Sequence, residues 1–106
     1  MISVFAEIQV KPGRRQAVLD SFAQLLPDVL AEKGCSAYVP LVDVPTQLAW
    51  QHKAPHSIFM WEQWASVQHL EQHLAMPHMK QHQERVKDDV LNVVINIIDH
   101  ALPAKA

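Results

Sequence analysis

The stretch Ser57-Ile58-Phe59-Met60-Trp61-Glu62-Gln63-Trp64 decides the fold. Its side chains alternate at the period of a β-strand. Ile58, Met60, Glu62 and Trp64 share one face, and Phe59, Trp61 and Gln63 share the other. Both faces are largely apolar, so the strand is expected to be covered on both sides. Glu62 lies between Trp61 and Trp64, and a carboxylate there needs a partner, a cavity or a raised pKa.

Working downstream, Ser66 is a good N-cap for a helix that carries Val67, Leu70, His73 and Leu74 along one side. Met76-Pro77 breaks that helix. Pro77 suits the first position of a second helical piece running to about Asp88. Val90 to Ile98 reads as a final strand, apolar on both faces apart from Asn92 and Asn96.

Upstream, residues 45–56 read either as a long hairpin loop or as a short extra strand around 47–51. Cys35 to Val44 reads as a strand in which Pro40 favours an edge, an end or a bulge. Arg14 to Lys33 reads as a helix with an apolar stripe through Val18, Phe22, Leu25, Val29 and Leu30. Pro27 is expected to kink or break it, and Gly34 to stop it. Residues 2–10 alternate as a first strand, and Lys11-Pro12-Gly13 turns the chain.

The order strand, helix, strand, strand, helix, strand predicts an α+β ferredoxin-like split βαβ fold with a four-stranded antiparallel sheet and helices on one face. Phe59 and Trp61 on the bare face predict a second copy of the chain as cover, hence a homodimer. One domain over residues 1–101 and a tail over 102–106 fit the length of 106 residues.

Composition narrows the function classes. Nine Lys+Arg against 11 Asp+Glu give a net charge of −2, with no basic stripe to attract nucleic acid. No apolar run approaches the ~18 residues of a membrane span. The single cysteine, Cys35, permits no internal disulfide and fits a reducing, cytoplasmic setting. Two glycines, Gly13 and Gly34, leave no phosphate-binding loop, so nucleotide cofactors are not expected.

Seven histidines stand out, four of them clustered as the i,i+4 pairs His69/His73 and His78/His82. Such pairs suit a metal. Pro77 separates them, however, and no carboxylate is obviously placed to complete a site. Surface or capping roles are favoured, with no metal. His73 turns partly inward beside Leu70 and Leu74. It is the best single candidate for a catalytic acid or base, against a purely structural role. Tyr38 and Trp64 are candidates for an aromatic cavity wall.

Four motifs in order resemble the antibiotic biosynthesis monooxygenase family of dimeric α/β-barrel proteins. They are Lys11-Pro12-Gly13, Gly34-Cys35-Ser36-Ala37-Tyr38, Trp61-Glu62-Gln63-Trp64-Ala65-Ser66, and His73 with the later Pro77-His78. The resemblance spans about residues 2–98. It implies a dimeric, cofactor-independent monooxygenase that uses O2 on a small aromatic or quinol-type substrate. His73 and Glu62 are then the catalytic candidates, and Tyr38, Trp64, His78 and Asn92 the substrate-binding ones. The alternative is a non-catalytic dimer that binds an aromatic ligand. Haem-degrading proteins of the same fold use an Asn, a Trp and a His at positions matching about Ala6, His73 and Gln83. All three differ here, and His82 lies one place from the haem-ligand position. Haem binding is therefore the weaker alternative.

Overall fold

A computed structural model describes residues 1–103. The tail expected over 102–106 therefore lies mostly outside the described residues. The elements are β1 (Ile2–Val10), α1 (Arg15–Leu30), β2 (Cys35–Leu41), β3 (Ser57–Trp64), α2 (Val67–Leu74), α3 (Pro77–Val86) and β4 (Val90–Ile98). The four strands form one sheet in the order β2-β3-β1-β4. All three pairings are antiparallel. This is the α+β ferredoxin-like arrangement that the order of apolar patterns predicts.

The first and last strands and β3 fall where alternation puts them, because short apolar runs bounded by turn residues leave little freedom of register. Val4, Ala6 and Ile8 of β1 and Ile58, Met60 and Trp64 of β3 point toward the helices and are buried. Val18, Phe22, Leu25 and Val29 of α1 meet them in one apolar core. Pro40 is tolerated because β2 is an edge strand.

Three boundaries differ from the sequence reading. Pro27 does not break α1, which runs on to Leu30. The proline costs the helix its own amide bond, and its carbonyl still accepts from the Ala31 amide at 3.3 Å. The helix then stops short of Lys33. β2 ends at Leu41 rather than Val44, and beyond it the Asp43 side chain is tied to α1 and the following loop. The Asp43 carboxylate accepts from the Ala54 amide at 3.0 Å and from Arg15 at 3.4 Å. α3 ends at Val86 rather than Asp88.

Residues 45–56 form a loop and not an extra strand. Gln51 Nε2 donates to the Val44 carbonyl at 2.8 Å and the Leu48 amide to Thr46 Oγ1 at 3.2 Å. These bonds take polar groups that a strand ladder would otherwise satisfy.

The turn from α1 into β2 depends on Gly34, which has φ +85°. A Cβ there would also overlap the His69 side chain. Gly34→Ala is therefore expected to cost about 2 kcal/mol through backbone strain and displaced packing. Urea denaturation measures it, and a change within about 0.5 kcal/mol of zero would contradict this account of the turn.

The helices cover β2 and β3 and leave the inner row of β4 bare. Val93, Ile95 and Ile97 face the helix side, opposite Ile8, Ala6 and Val4, yet each is exposed. The other sheet face is also open and apolar. There the rings of Phe5 and Phe59 stack at 5.9 Å. Val39 pairs with Trp61, and Leu41 with Phe59, in the same outer rows.

Candidate active site

Between the inner sheet face and the helices lies a cavity of about 500 Å³, open toward the bare row of β4. That size falls in the about 300–1,000 Å³ range of small-molecule sites. Its floor is apolar strand side chains such as Ala6, Met60 and Ile95. Its polar groups are few: Tyr38, Glu62, His73, His82, Gln83 and Lys87.

His73 projects from the end of α2 and is 1% exposed. Its ring lies 4.5 Å from the Trp64 ring and 5.3 Å from the Tyr38 ring. Its Nδ1 lies 2.8 Å from Glu32 Oε2. A carboxylate oxygen accepts, so His73 donates at Nδ1 and keeps its lone pair at Nε2. Among the described residues Nε2 has no protein partner. No fully buried side-chain nitrogen or oxygen among the described residues lacks one, so Nε2 is not sealed off, and the His73 side chain lines the cavity. Burial pushes the His73 pKa below the ordinary histidine value, while the bond to Glu32 and its charge partly restore it. Together these favour a neutral imidazole in the tautomer that leaves the Nε2 lone pair free.

Glu32 lies in the turn after α1 and also accepts from His78 Nε2 at 2.8 Å, on the same oxygen. The sequence reading missed Glu32. Nothing in its spacing separates it from any other acid at a helix end. The i,i+4 histidine pairs do not act as pairs, and the surface or capping roles expected for them hold for His69 but not for the buried His73 and His82. His69 bonds the Ser66 cap at 2.7 Å, and His73 and His78 meet across Pro77 through Glu32. A carboxylate therefore does stand beside the histidines. Glu32, His73 and His78 offer ligand atoms within 4.8 Å of one another, a donor set that suits zinc. As folded, the oxygen takes an N–H from each histidine.

Glu62 lines the cavity and is 7% exposed. Its Oε1 accepts from Trp64 Nε1 at 3.0 Å, and not from His73. Burial raises its pKa, the Trp64 bond lowers it, and the charge of Glu32 raises it further. Tyr38 is buried in the wall, and burial raises its phenol well above the ordinary value. Its hydroxyl has a single weak contact, to Met79 Sδ at 4.0 Å.

Of the six candidates, then, His73, Glu62 and Tyr38 line the cavity. Trp64 is buried behind His73, and His78 stands on the outer side of Glu32. Neither lines the cavity. Asn92 is placed on the opposite sheet face, paired with Gln9 in the outer row, and cannot reach the cavity from there. His82 was set aside as one residue off the haem-ligand position, a slip of ~100° on a helix. The structure instead puts both His82 and Gln83 in the cavity wall.

The sequence profile of the antibiotic biosynthesis monooxygenase family matches residues 1–85. The chain belongs to this family. Among its relatives, "Probable quinol monooxygenase YgiN" of Escherichia coli K12 is 52% identical over 100 residues, covering 92% of this chain and 96% of the relative. Two solved structures share the fold of this family member. PA3566 from Pseudomonas aeruginosa is 25% identical at a TM-score of 0.78, covering 95% of this chain and 94% of that one. A conserved protein from Methanosarcina mazei Go1 is 26% identical at 0.77, covering 92% and 89%.

Proposed function

We propose that this protein is a cofactor-independent monooxygenase that acts on a small quinol-type aromatic with O2. One observation supports the reading: His73 lines the cavity and its Nδ1 is taken up by Glu32, which leaves Nε2 as the free ring nitrogen. The 52% identity to a protein named as a quinol monooxygenase supports the substrate class.

A quinol loses its first proton to His73 Nε2. The resulting anion is electron-rich enough to pass an electron to O2. Recombination at a ring carbon then forms a C–O bond. Loss of water leaves one oxygen atom in a hydroxyquinone and sends the other to water. The protein holds the anion dry and oriented, and the protonated His73, backed by Glu32, offsets its charge. Glu62 serves as a second polar anchor beside Tyr38. Steady-state oxygen uptake on a panel of reduced quinols and anthrones tests this. Uptake proportional to protein is expected. Tight ligand binding without uptake would favour a non-catalytic aromatic-binding protein.

The reading includes a homodimer. Phe5, Val39 and Leu41 are exposed on the outer sheet face, a continuous apolar surface with Phe59 and Trp61. Light scattering is expected to give twice the chain mass at micromolar concentration, and Trp61→Glu to give monomer. A wild-type monomer would contradict the dimer. A cytoplasmic setting, in keeping with the lone thiol of Cys35, is part of the same reading.

A further inference from the structure

His82 is the one buried polar side chain of the cavity that the proposed chemistry leaves idle. It is 5% exposed and its ring packs 4.3 Å from that of Phe22. Arg85 Nε donates to Ser21 Oγ at 2.8 Å, and Arg85 Nη2 to the Ser21 carbonyl at 3.3 Å. Ser21 Oγ lies 2.8 Å from His82 Nδ1. Arginine only donates, so Ser21 Oγ accepts from it. The serine's own hydrogen has His82 Nδ1 as its partner. A hydroxyl can also accept twice, but among the described residues that hydrogen meets no other acceptor, which favours the His82 tautomer with its hydrogen on Nε2.

Among the described residues His82 Nε2 has no protein partner, and it is not sealed off, because no fully buried side-chain nitrogen among them lacks one. Burial first, and then the Arg85 charge, hold the His82 pKa down at about 4, so the ring stays neutral. The two cavity histidines are thus opposite tautomers. His73 presents an acceptor and His82 a donor. Tyr38 and Phe22 stand between them in a chain of ring contacts.

The geometry points to a second binding subsite in this cavity, in which His82 Nε2–H donates to an oxygen of the ligand other than the one His73 deprotonates. This rests on the reading of the cavity as a quinol site and narrows it. The ligand is an aromatic with two separated oxygens, a quinol or a hydroxyketone, and not a monophenol. A monophenol would leave His82 Nε2–H desolvated and unpaired, which is how buried polar groups reject ligands that lack the matching atom.

Anaerobic titration calorimetry tests the subsite without turnover. The probes are para-dihydroxynaphthalene and the one-oxygen naphthol. Wild type is expected to bind the diol about tenfold more tightly, the worth of one neutral hydrogen bond in a dry site. His82→Leu is expected to bring the two to about equal affinity while naphthol binding stays within about threefold of wild type. His82→Gln, which keeps an N–H donor, should retain most of the preference. Ser21→Ala, which frees the tautomer but keeps the ring, should weaken it. The preference should be flat between about pH 6 and 8, where His82 remains neutral. Equal affinities in wild type, or a preference that survives His82→Leu, would overturn the subsite. Oxygen uptake fails independently: a diol preference that depends on His82, in a protein silent toward every quinol, leaves the subsite standing and removes only the oxygenase reading.

Discussion

His73→Ala is expected to lower kcat/KM for quinol oxidation by about 10²–10⁴-fold, the usual contribution of a positioned general base. The variant removes the cavity-lining imidazole whose Nδ1 is held by Glu32. Glu32→Gln is expected to act in the same direction but more weakly, by about tenfold, because the imidazole remains while its orientation and charge support are lost. The pH profile separates a base from a structural histidine. Burial depresses the His73 pKa, so the acid limb of kcat/KM should lie below the ordinary value of about 6.5. Glu32 raises that pKa, so the limb should move lower still in Glu32→Gln. A His73→Ala enzyme with undiminished kcat/KM, or an acid limb that ignores Glu32→Gln, would contradict the assignment.

The second large effect is loss of stability in mild acid. His82 is held neutral in the fold at a pKa of about 4, against about 6.5 for an unfolded histidine. A depressed native pKa means that the unfolded state binds the proton more readily. The stability from neutral His82 is full above pH ~6.5 and is lost as pH falls toward ~4, by up to about 3 kcal/mol. His73, shifted in the same direction, adds to it. Glu62 opposes it, since its raised pKa makes the fold hold a proton that the unfolded chain releases. The clean measurement is therefore the difference between wild type and His82→Leu in urea midpoint from pH 7 to 4.5. His82→Leu should show the flatter curve. Parallel curves would mean that His82 does not titrate with folding.

How far the sequence could be read depended on whether a contact was local. β3 and β4 were legible because alternation and the flanking turn residues define a strand without help from the rest of the chain. Pro27 misled because its effect depends on where the helix ends. It removes one bond of the ladder, and the helix continues past it to Leu30. Asn92 misled because β4 is apolar on both faces. Parity along that strand does not say which row faces the helices, and only the pairing with β1 settles it, placing Asn92 opposite Gln9.

His73 was found from its place beside the Leu70 and Leu74 stripe. Its partner was not, because Glu32 comes from a turn 41 residues away. His82 was misjudged for a related reason. Its tautomer depends on Ser21, 61 residues away on α1, and on Arg85 bridging the two helices. Such a relay is tertiary and leaves no spacing signature. Candidate acids and bases can be picked out of a sequence one by one, but the groups that set their protonation are brought together only by the fold.

The measurement that tests the central claim most directly is a turnover under ¹⁸O₂ with chelator-treated protein and a reduced naphthoquinol, read by mass spectrometry of the product. The account predicts one ¹⁸O atom in each hydroxyquinone, formed in proportion to wild-type protein and lost in His73→Ala. A product quinone free of ¹⁸O, with hydrogen peroxide formed in equal amount, would show plain two-electron oxidation and contradict a monooxygenase.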